Sequence, residues 1–541
     1  MHHSSKSFDE KTTSGRRKSY WIDSTPQHPY AGPLRQNIHA DVVIVGGGLA
    51  GVSVAYCLAE VGKKVVIIED GFIGSGESGR TTAHLVTALD DRYAELEKIF
   101  GEEDTKLIAA SHKAAIQFVE DTVRKENISC QFERVSGYLF LHPSDEHKSL
   151  KEEFEAATRA GVDVRESSVV PGMLNYQGRS LEFPGQAQFH PLAYMHSLCN
   201  VIEQKRGKIY TGTHAADINH EGITTSEGFT VKANHVVVAT NSPVNNLVAM
   251  HLKQTAHRTY VIAGLVKKDA LPKALWWDTG DFSVDKDLAP YHYIRVHPYN
   301  NEYDLLISGG EDHPTGDIER DEIQEEHRYR KLEEWTRNHF PLGDIVYCWS
   351  GQVLEPVDSL AFIGRNPLDK ENVYIITGDS GTGMTHCTIG GLLITDLILG
   401  RKSPWEEIYS PCRITLKTGN IFFKELFRGV ASLMKGAPDD DRVKEFSAIR
   451  GGEGKITNVA GHKCAVYREE NGSYHIVSAR CTHLKATLTW NADEKTWDCP
   501  WHGSRFSYDG HVINGPANTD LPVYEKVEDR TRQNEDMKEI Q

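Results

Sequence analysis

Asp41-Val42-Val43-Ile44-Val45-Gly46-Gly47-Gly48-Leu49-Ala50-Gly51 is the stretch on which the fold turns. A short run of branched apolar residues ends on G-x-G-x-x-G, residues 52 to 60 continue with helical character, and a second apolar run at 65 to 68 ends on Glu69. Strand, glycine turn, helix, strand and acid in that order describe a dinucleotide cradle. Gly46 makes the tight turn, Gly48 lets the backbone approach a pyrophosphate, and Gly51 lets the helix pack closely on the strand. Glu69 follows Gly51 by eighteen residues, where a carboxylate can accept from a ribose hydroxyl. A lone G-x-G-x-x-G is weak evidence. Here its flanks complete it.

Whether the dinucleotide is FAD or NAD rests on segments further along. Glu77-Ser78-Gly79-Arg80-Thr81-Thr82 is a small-residue loop after the second strand, and residues 235 to 241 read as another buried strand. Asp358-Ser359-Leu360-Ala361-Phe362-Ile363-Gly364 leads into Thr377-Gly378-Asp379-Ser380-Gly381-Thr382-Gly383-Met384-Thr385, with a helix from about 389. Over about residues 20 to 412 this series resembles the FAD-dependent D-amino-acid-oxidase and glycine-oxidase-like superfamily. The resemblance implies that the last glycine-rich loop holds the ribityl and pyrimidine end of FAD. Backbone N–H groups and a positive helix end suit the electron-rich side of a reduced flavin. The cofactor-binding candidates are Gly46, Gly48, Gly51, Glu69, Arg80, Thr81, Thr82, Gly378, Asp379, Gly383, Met384 and Thr385. Ser308-Gly309-Gly310-Glu311-Asp312-His313 lacks the spacing of a second fingerprint, so nicotinamide is not expected as the electron donor.

A second constellation lies near the C-terminus. Cys481-Thr482-His483 and Cys499-Pro500-Trp501-His502, separated by fifteen residues, offer two thiolates and two imidazoles, the ligand set of a Rieske [2Fe–2S] centre. Two Cys and two His would also satisfy tetrahedral zinc. The ligand order argues against it: each half pairs Cys with His, whereas a finger puts C-x-x-C first and its two His later. Residues 452 to 527 resemble Rieske domains. Members of high potential carry an extra Cys in each box, forming a disulfide, and a Ser and a Tyr hydroxyl directed at the sulfurs. Ala486 and Trp501 stand at those Cys positions, and Phe506 stands where the Tyr would be, while Ser504 is present. The resemblance therefore implies a potential in the lower part of the range of about −150 to +300 mV.

The chain has 541 residues, enough for several domains. A net charge of −16 without a basic stripe argues against nucleic acid, whose phosphates are bound by clustered Lys and Arg. No apolar run approaches the ~18 residues of a spanning helix. The polar N-terminus lacks the apolar core of an export signal, and Arg16-Arg17 does not read as a twin-arginine signal. A cytoplasmic location is expected, without membrane contact. Nine Cys, seven of them scattered away from the boxes, give no disulfide framework.

The expected fold class is α/β: a Rossmann-like FAD-binding domain with an interleaved α+β substrate domain, plus a C-terminal all-β Rieske domain. Residues 39–130, 188–250 and 345–412 are assigned to the FAD domain and 131–187 and 251–344 to the substrate domain. Residues 1–38 and 528–541 are read as tails. Substrate-domain strands are expected at 137–141, 260–266, 291–296 and 304–308, where aromatic and branched residues dominate. Between the redox domains, 413–451 holds an apolar stripe at three- and four-residue steps from Ile421 to Met434, then a hinge at Pro438-Asp439-Asp440-Asp441. The stripe suits packing on the FAD domain better than contact with a membrane surface.

The resemblance implies hydride transfer from a C–H beside an amine to the flavin. Tyr260, Tyr293 and Arg295 are the pocket candidates, with Arg295 offering a fork for a substrate carboxylate. His386 is a candidate base, and His84 a candidate for covalent attachment of FAD. A FAD-dependent enzyme acting on a CH–NH donor and passing single electrons through the cluster to an external acceptor or redox protein gives both centres a use. Reverse flow from cluster to flavin, and a non-catalytic electron carrier or redox sensor, are the alternatives. A Rieske oxygenase would need a mononuclear iron domain after the cluster domain, and only a charged tail follows residue 527.

Overall fold

A computed structural model of the chain describes residues 17–26, 28, 30–145, 147–176, 178–245, 250–283, 289–316, 325–415, 449–459, 462–492 and 494–524. The stripe at 421–434 and the hinge after it lie outside the described residues. Ile38–Val45 is the centre of the first sheet. It pairs in parallel with Val65–Ile68 on one side and Thr230–Val238 on the other, so that Val43 lies between Val66 and Val236. Where they are covered on both faces, at 42–45, 65–68 and 236–238, these strands read as continuous apolar runs rather than as alternating ones. Lys208–Tyr210 extends one edge, and Val373–Thr377 followed by Phe362–Arg365 extends the other.

Two helices cross this sheet at the cradle. Leu49–Glu60 is apolar all round, because it is buried between the sheet and Gly383–Ile398. The two helices approach so closely that a Cβ on Gly391 would lie 2.8 Å from Ser53 Cβ. Glu102–Lys125 packs outside, with Glu102, Glu103 and Asp104 in its first turn and Arg124 and Lys125 in its last, matching the helix dipole.

The second sheet runs in the order Ile345–Pro356, Gln254–Lys267, Tyr303–Pro314, Tyr293–Pro298, Ala274–Asp278, Glu133–Phe140, Ser180–Gln188, His84–Leu85. Ile345–Pro356, grouped by sequence with the FAD domain, belongs to this sheet. It pairs along its length with Gln254–Lys267, and the chain returns to the first sheet only at Phe362–Arg365. His84–Leu85 likewise crosses over to pair with Gln188 and Ala187.

The segment read as a tail up to residue 38 is partly core. Tyr20–Ser24 is a short helix capped by Ser19, whose hydroxyl accepts from Ile22 N at 3.2 Å. Trp21 is fully buried, donates Nε1–H to Thr81 O at 2.6 Å, and meets the rings of His190 and His297 edge-on. Tyr20, Trp21 and Ile22 are three buried residues in an otherwise polar stretch, too short a run to give a periodic signal, which is why sequence patterning passes over them.

At the C-terminal end, Gly454–Val459, His462–Arg468 and Tyr474–Ser478 form one antiparallel sheet and Thr489–Asn491, Thr496–Asp498, Arg505–Ser507 and Val512–Asn514 another. Trp497, Phe506, Leu488 and Ala486 fill the space between them. Among the described residues no helix is long and apolar enough to cross a membrane.

Candidate flavin and cluster sites

A cavity of about 1180 Å³ runs from the glycine turn of the first sheet to the face of the second. At its nucleotide end the backbone makes the surface. Gly46 has φ +109°, and a Cβ there would lie 2.3 Å from Ala239 O. A Cβ on Gly51 would lie 2.0 Å from Gly46 O, whereas one on Gly48 would meet only Ser78 Oγ at 3.3 Å. The first two glycines hold the turn together and the third leaves the cradle open. Gly48, the N-cap of Leu49–Glu60, has no side chain to cap the helix; Leu49 N donates to Ser78 Oγ at 2.9 Å, and the positive helix end faces the cradle. Glu69 accepts from Gly47 N and Gly71 N, both at 2.6 Å, and burial raises its carboxyl above the ordinary value.

Of the cofactor candidates, Gly46, Gly48, Glu69, Arg80, Thr81, Thr82, Asp379, Gly383 and Met384 line the cavity. Gly51, Gly378 and Thr385 do not line it. Gly378 takes φ +66° and would strike Gln254 Oε1 at 2.9 Å with a Cβ, while Thr385 Oγ1 donates to Thr382 O at 2.9 Å. Their part is to shape the loop.

The far end is made of side chains. Asp90, Asp312, Glu355, Tyr291, Tyr293, Trp277 and His84 face the cavity beside Ser380 and Gly381. Tyr291 Oη donates to Asp90 Oδ2 at 2.6 Å, and Ser380 Oγ donates to Glu355 Oε2 at 2.7 Å. A Cβ on Gly381 would fall 1.7 Å from Asp90 Oδ2, so the missing side chain of the glycine-rich loop is what admits this carboxylate. Burial pushes Asp312 up to about 7 and raises Asp90 and Glu355 as well. Asp312 Oδ1 and Trp277 Nε1 are buried without a hydrogen-bond partner. None of these acids is a sequence candidate. The signal was faint: Asp312 follows Gly309-Gly310, and a Cβ on Gly309 would lie 2.2 Å from the Tyr293 ring.

Three pocket candidates are placed elsewhere. Tyr260 is in the core under the second sheet, its hydroxyl 2.9 Å from His313 Nε2. Arg295 is fully buried and spends its Nη1 on Thr82 O, Ala83 O and Phe189 O, so it ties the flavin loop to the second sheet and offers no fork to a carboxylate. His386 is buried in the first turn of its helix, with Nδ1 2.8 Å from Asp379 O in the preceding loop and its ring against His112. Burial lowers His386 to about 4. Tyr293 does reach the cavity, and its hydroxyl pairs with Thr259 Oγ1. His84 reaches it too, held through Nε2 to Ile294 O at 3.2 Å and through Nδ1 to Thr82 Oγ1 at 3.0 Å, and burial lowers it to about 3.

The two Cys/His boxes come together as mirrored turns. Lys485 N donates to Cys481 O at 3.0 Å in one, and Gly503 N donates to Cys499 O at 3.1 Å in the other. The imidazoles of His483 and His502 stand 5.1 Å apart at 77°. Cys481 is drawn below the ordinary thiol value, first by hydrogen bonding with Cys499 and further by backbone N–H groups and the Ser504 hydroxyl. His502 Nδ1 is buried without a partner. Among the described residues no three Cys, His, Asp or Glu converge on one point. The four side chains are two thiols and two imidazoles, the donor set of a Rieske centre. Ala486 and Phe506 are packed into the domain core and Trp501 lies against it, so neither extra Cys nor the Tyr hydroxyl has a substitute there. None of the nine cysteines is in a disulfide.

The family model described as FAD dependent oxidoreductase matches residues 41–397. The chain belongs to that family. A second model, the Rieske [2Fe-2S] domain, matches residues 441–525. The putative Rieske 2Fe-2S iron-sulfur protein YhfW of Bacillus subtilis is 30% identical over 92% of this chain and 96% of its own length. Gamma-glutamylputrescine oxidoreductase of Escherichia coli is 25% identical over 71% of this chain and 89% of its own. Glycine oxidase from Geobacillus kaustophilus covers 70% of this chain and all (100%) of its own with a TM-score of 0.55 at 18% identity, which shows a shared fold. The two family matches imply FAD and a [2Fe–2S] cluster. The open glycine cradle fits the first, and the orphaned imidazole nitrogen beside paired thiols fits the second.

Proposed function

We propose that this FAD-dependent oxidoreductase is a dehydrogenase that oxidises an amine or amino-acid-like CH–NH donor and releases the electrons singly through its Rieske centre to an external acceptor. The observation that carries the reading is the single cavity joining the nucleotide cradle to a pocket of Asp90, Asp312, Glu355, Tyr291, Tyr293 and Trp277. When bound, FAD supplies a hydride acceptor and the cluster a one-electron carrier. Gly46, Gly48 and the N-terminus of Leu49–Glu60 would hold the pyrophosphate, Glu69 would support the ribose side, and Arg80 to Thr82 with Asp379, Gly383 and Met384 would border the ring end. Cys481, His483, Cys499 and His502 would hold the irons.

The protein's own groups act on the substrate nitrogen. An amine is protonated in neutral water and cannot give up hydride from its α-carbon until that proton leaves. Asp312, with a carboxyl near 7, is suited to take it. Aromatic walls exclude water and orient the donor carbon. With Arg295 committed to backbone carbonyls, the wall supports a donor held through its nitrogen rather than through a carboxylate.

Anaerobic mixing of the holoprotein with a panel of amines and amino acids tests the reading. Loss of the oxidised-flavin absorbance, followed by reduction of the cluster, is expected with at least one amine. Reduction by protein partners alone would make the chain a carrier. Hydrogen peroxide formed in step with substrate turnover would make it an oxidase.

A further inference from the structure

The cluster-bearing domain is pinned to both sheets of the larger unit by polar contacts. Glu494, 2% exposed, reaches from the Rieske sheet into the other domain. Its Oε1 accepts from Ser350 Oγ at 2.8 Å, and Ser350 Oγ accepts in turn from the Arg258 guanidinium. The Glu494 carboxylate is also a countercharge to buried Arg80, on the flavin loop. Gln352 lines the flavin cavity, and its Nε2 donates 3.0 Å to Gly503 O, the residue after His502. Asn514 Nδ2 donates to Glu77 Oε1 at 3.1 Å and Asn518 Nδ2 to Ala215 O at 3.0 Å, so the Rieske domain also forms part of the cavity wall.

At the centre of this interface is a third imidazole. His251, 3% exposed, sits at the start of the second sheet's strand Gln254–Lys267, and its ring centroid lies 4.9 Å from that of His483 and 5.7 Å from that of His502. Its short turn, His251–Lys253, runs directly into Gln254. Gln254 Oε1 accepts from Thr377 Oγ1 at 3.1 Å, and Thr377 lines the flavin cavity. From the imidazole of His483 to Thr377 on the cavity wall there is thus one ring-to-ring contact, the His251 ring, three peptide units, the Gln254 side chain and one hydrogen bond. Electron tunnelling falls off steeply across empty or water-filled gaps and is favoured by packed atoms. The one through-space step on this path is the ring contact between His483 and His251, whose centroids lie 4.9 Å apart.

We infer that His251 is the junction residue for electron passage between flavin and cluster, in an interface built closed rather than assembled by a swinging Rieske domain. The inference rests on the two-centre reading above but not on the identity of the donor. In each cycle the reduced flavin anion FADH⁻ loses two electrons and one proton, the electrons crossing one at a time. Each takes the cluster from two ferric ions to one ferric and one ferrous, and an external one-electron acceptor reoxidises it before the next.

The test uses the holoprotein under anaerobic conditions, with FAD reduced by a light flash in the presence of EDTA and a free deazaflavin. No substrate is involved, so failure here is separate from failure of the amine reading. The decay of reduced flavin and the appearance of reduced cluster are followed together, with FAD content and the EPR intensity of the cluster as controls. His251→Ala should slow the transfer about tenfold or more, and His251→Phe, which refills the space with a ring, should recover most of it. Wild-type rates in both variants at full cofactor content would overturn the inference. The wild-type protein gives a second reading that needs no variant: raising viscosity with sucrose should leave the rate unchanged. A rate that falls in proportion to viscosity would mean that the domain must move, and would overturn the closed junction.

Discussion

The two ends of the flavin cavity are built on opposite principles. At the nucleotide end the wall is backbone, and the decisive feature is the absence of side chains: Gly46 and Gly51 sit where a Cβ would strike Ala239 O or Gly46 O. At the substrate end the wall is side chains from five separate stretches of sequence, Asp90, Trp277, Tyr291 with Tyr293, Asp312 and Glu355. A backbone wall has one acceptable shape and fails abruptly. A side-chain wall can change its chemistry one residue at a time while the fold stays as it is, so one cradle can serve many donors.

The sharpest break is expected at the nucleotide end. Gly51→Ala puts a methyl 2.0 Å from Gly46 O and 3.2 Å from Ile44 Cγ2, with backbone on one side and sheet core on the other. A cost of about 3 kcal/mol is expected, seen as a lowered unfolding midpoint and protein purified without FAD. Gly48→Ala is the control, since its methyl meets only the Ser78 hydroxyl at 3.3 Å. That variant should unfold as the wild type does and lose FAD affinity alone. Equal stability loss in both would mean that the cradle is not a rigid unit.

At the substrate end Asp312→Asn should leave FAD and cluster content intact and lower kcat/KM about 10²-fold. The pH profile sharpens this. Burial raises Asp312, the neighbouring charges of Asp90 and Glu311 act in the same direction, and the Thr259 hydrogen bond and His292 oppose them, leaving the group at about 7. A base works only when ionised, so kcat/KM should fall as pH drops below about 7. In Asp312→Asn that acid limb should be gone. A limb that survives the substitution would assign it to another group.

The same contrast explains what could be read from the chain and what could not. Gly46 to Gly51, Glu69 and the Cys481/His483 and Cys499/His502 boxes each lie within one short stretch, and local spacing determines where their atoms go. Asp312 and Asp90 come from strands and loops more than two hundred residues apart, and only the pairing of Tyr293–Pro298 with Tyr303–Pro314, and the gap at Gly381, bring them to one wall. Arg295 misled for the same reason. On a strand beside Tyr293 it had the right neighbours, but its guanidinium is turned away from the cavity to where the carbonyls of Thr82 and Ala83 take its protons. Trp21 and His251 carry no motif at all, and their roles come entirely from what packs against them.

The smallest effect expected is also the most specific to the side-chain wall. The Tyr293 and Thr259 hydroxyls are paired, and Thr259 is a neighbour that lowers the Asp312 carboxyl against burial. A threonine hydroxyl has one proton, so to donate to Asp312 it must accept from Tyr293, and accepting makes it the better donor. Tyr293→Phe removes the first link and keeps the ring. The lost hydrogen bond should lower kcat/KM by about 1 kcal/mol, roughly fivefold. The weaker Thr259 donor should also stabilise the Asp312 carboxylate less, so the acid limb should move up by about a few tenths of a pH unit. Thr259→Val should move it further in the same direction, because it deletes the donor itself. A downward shift in Tyr293→Phe, or no shift in Thr259→Val, would mean that Thr259 donates to Tyr293 instead, and that Asp312 is held near neutrality by burial and its acidic neighbours alone.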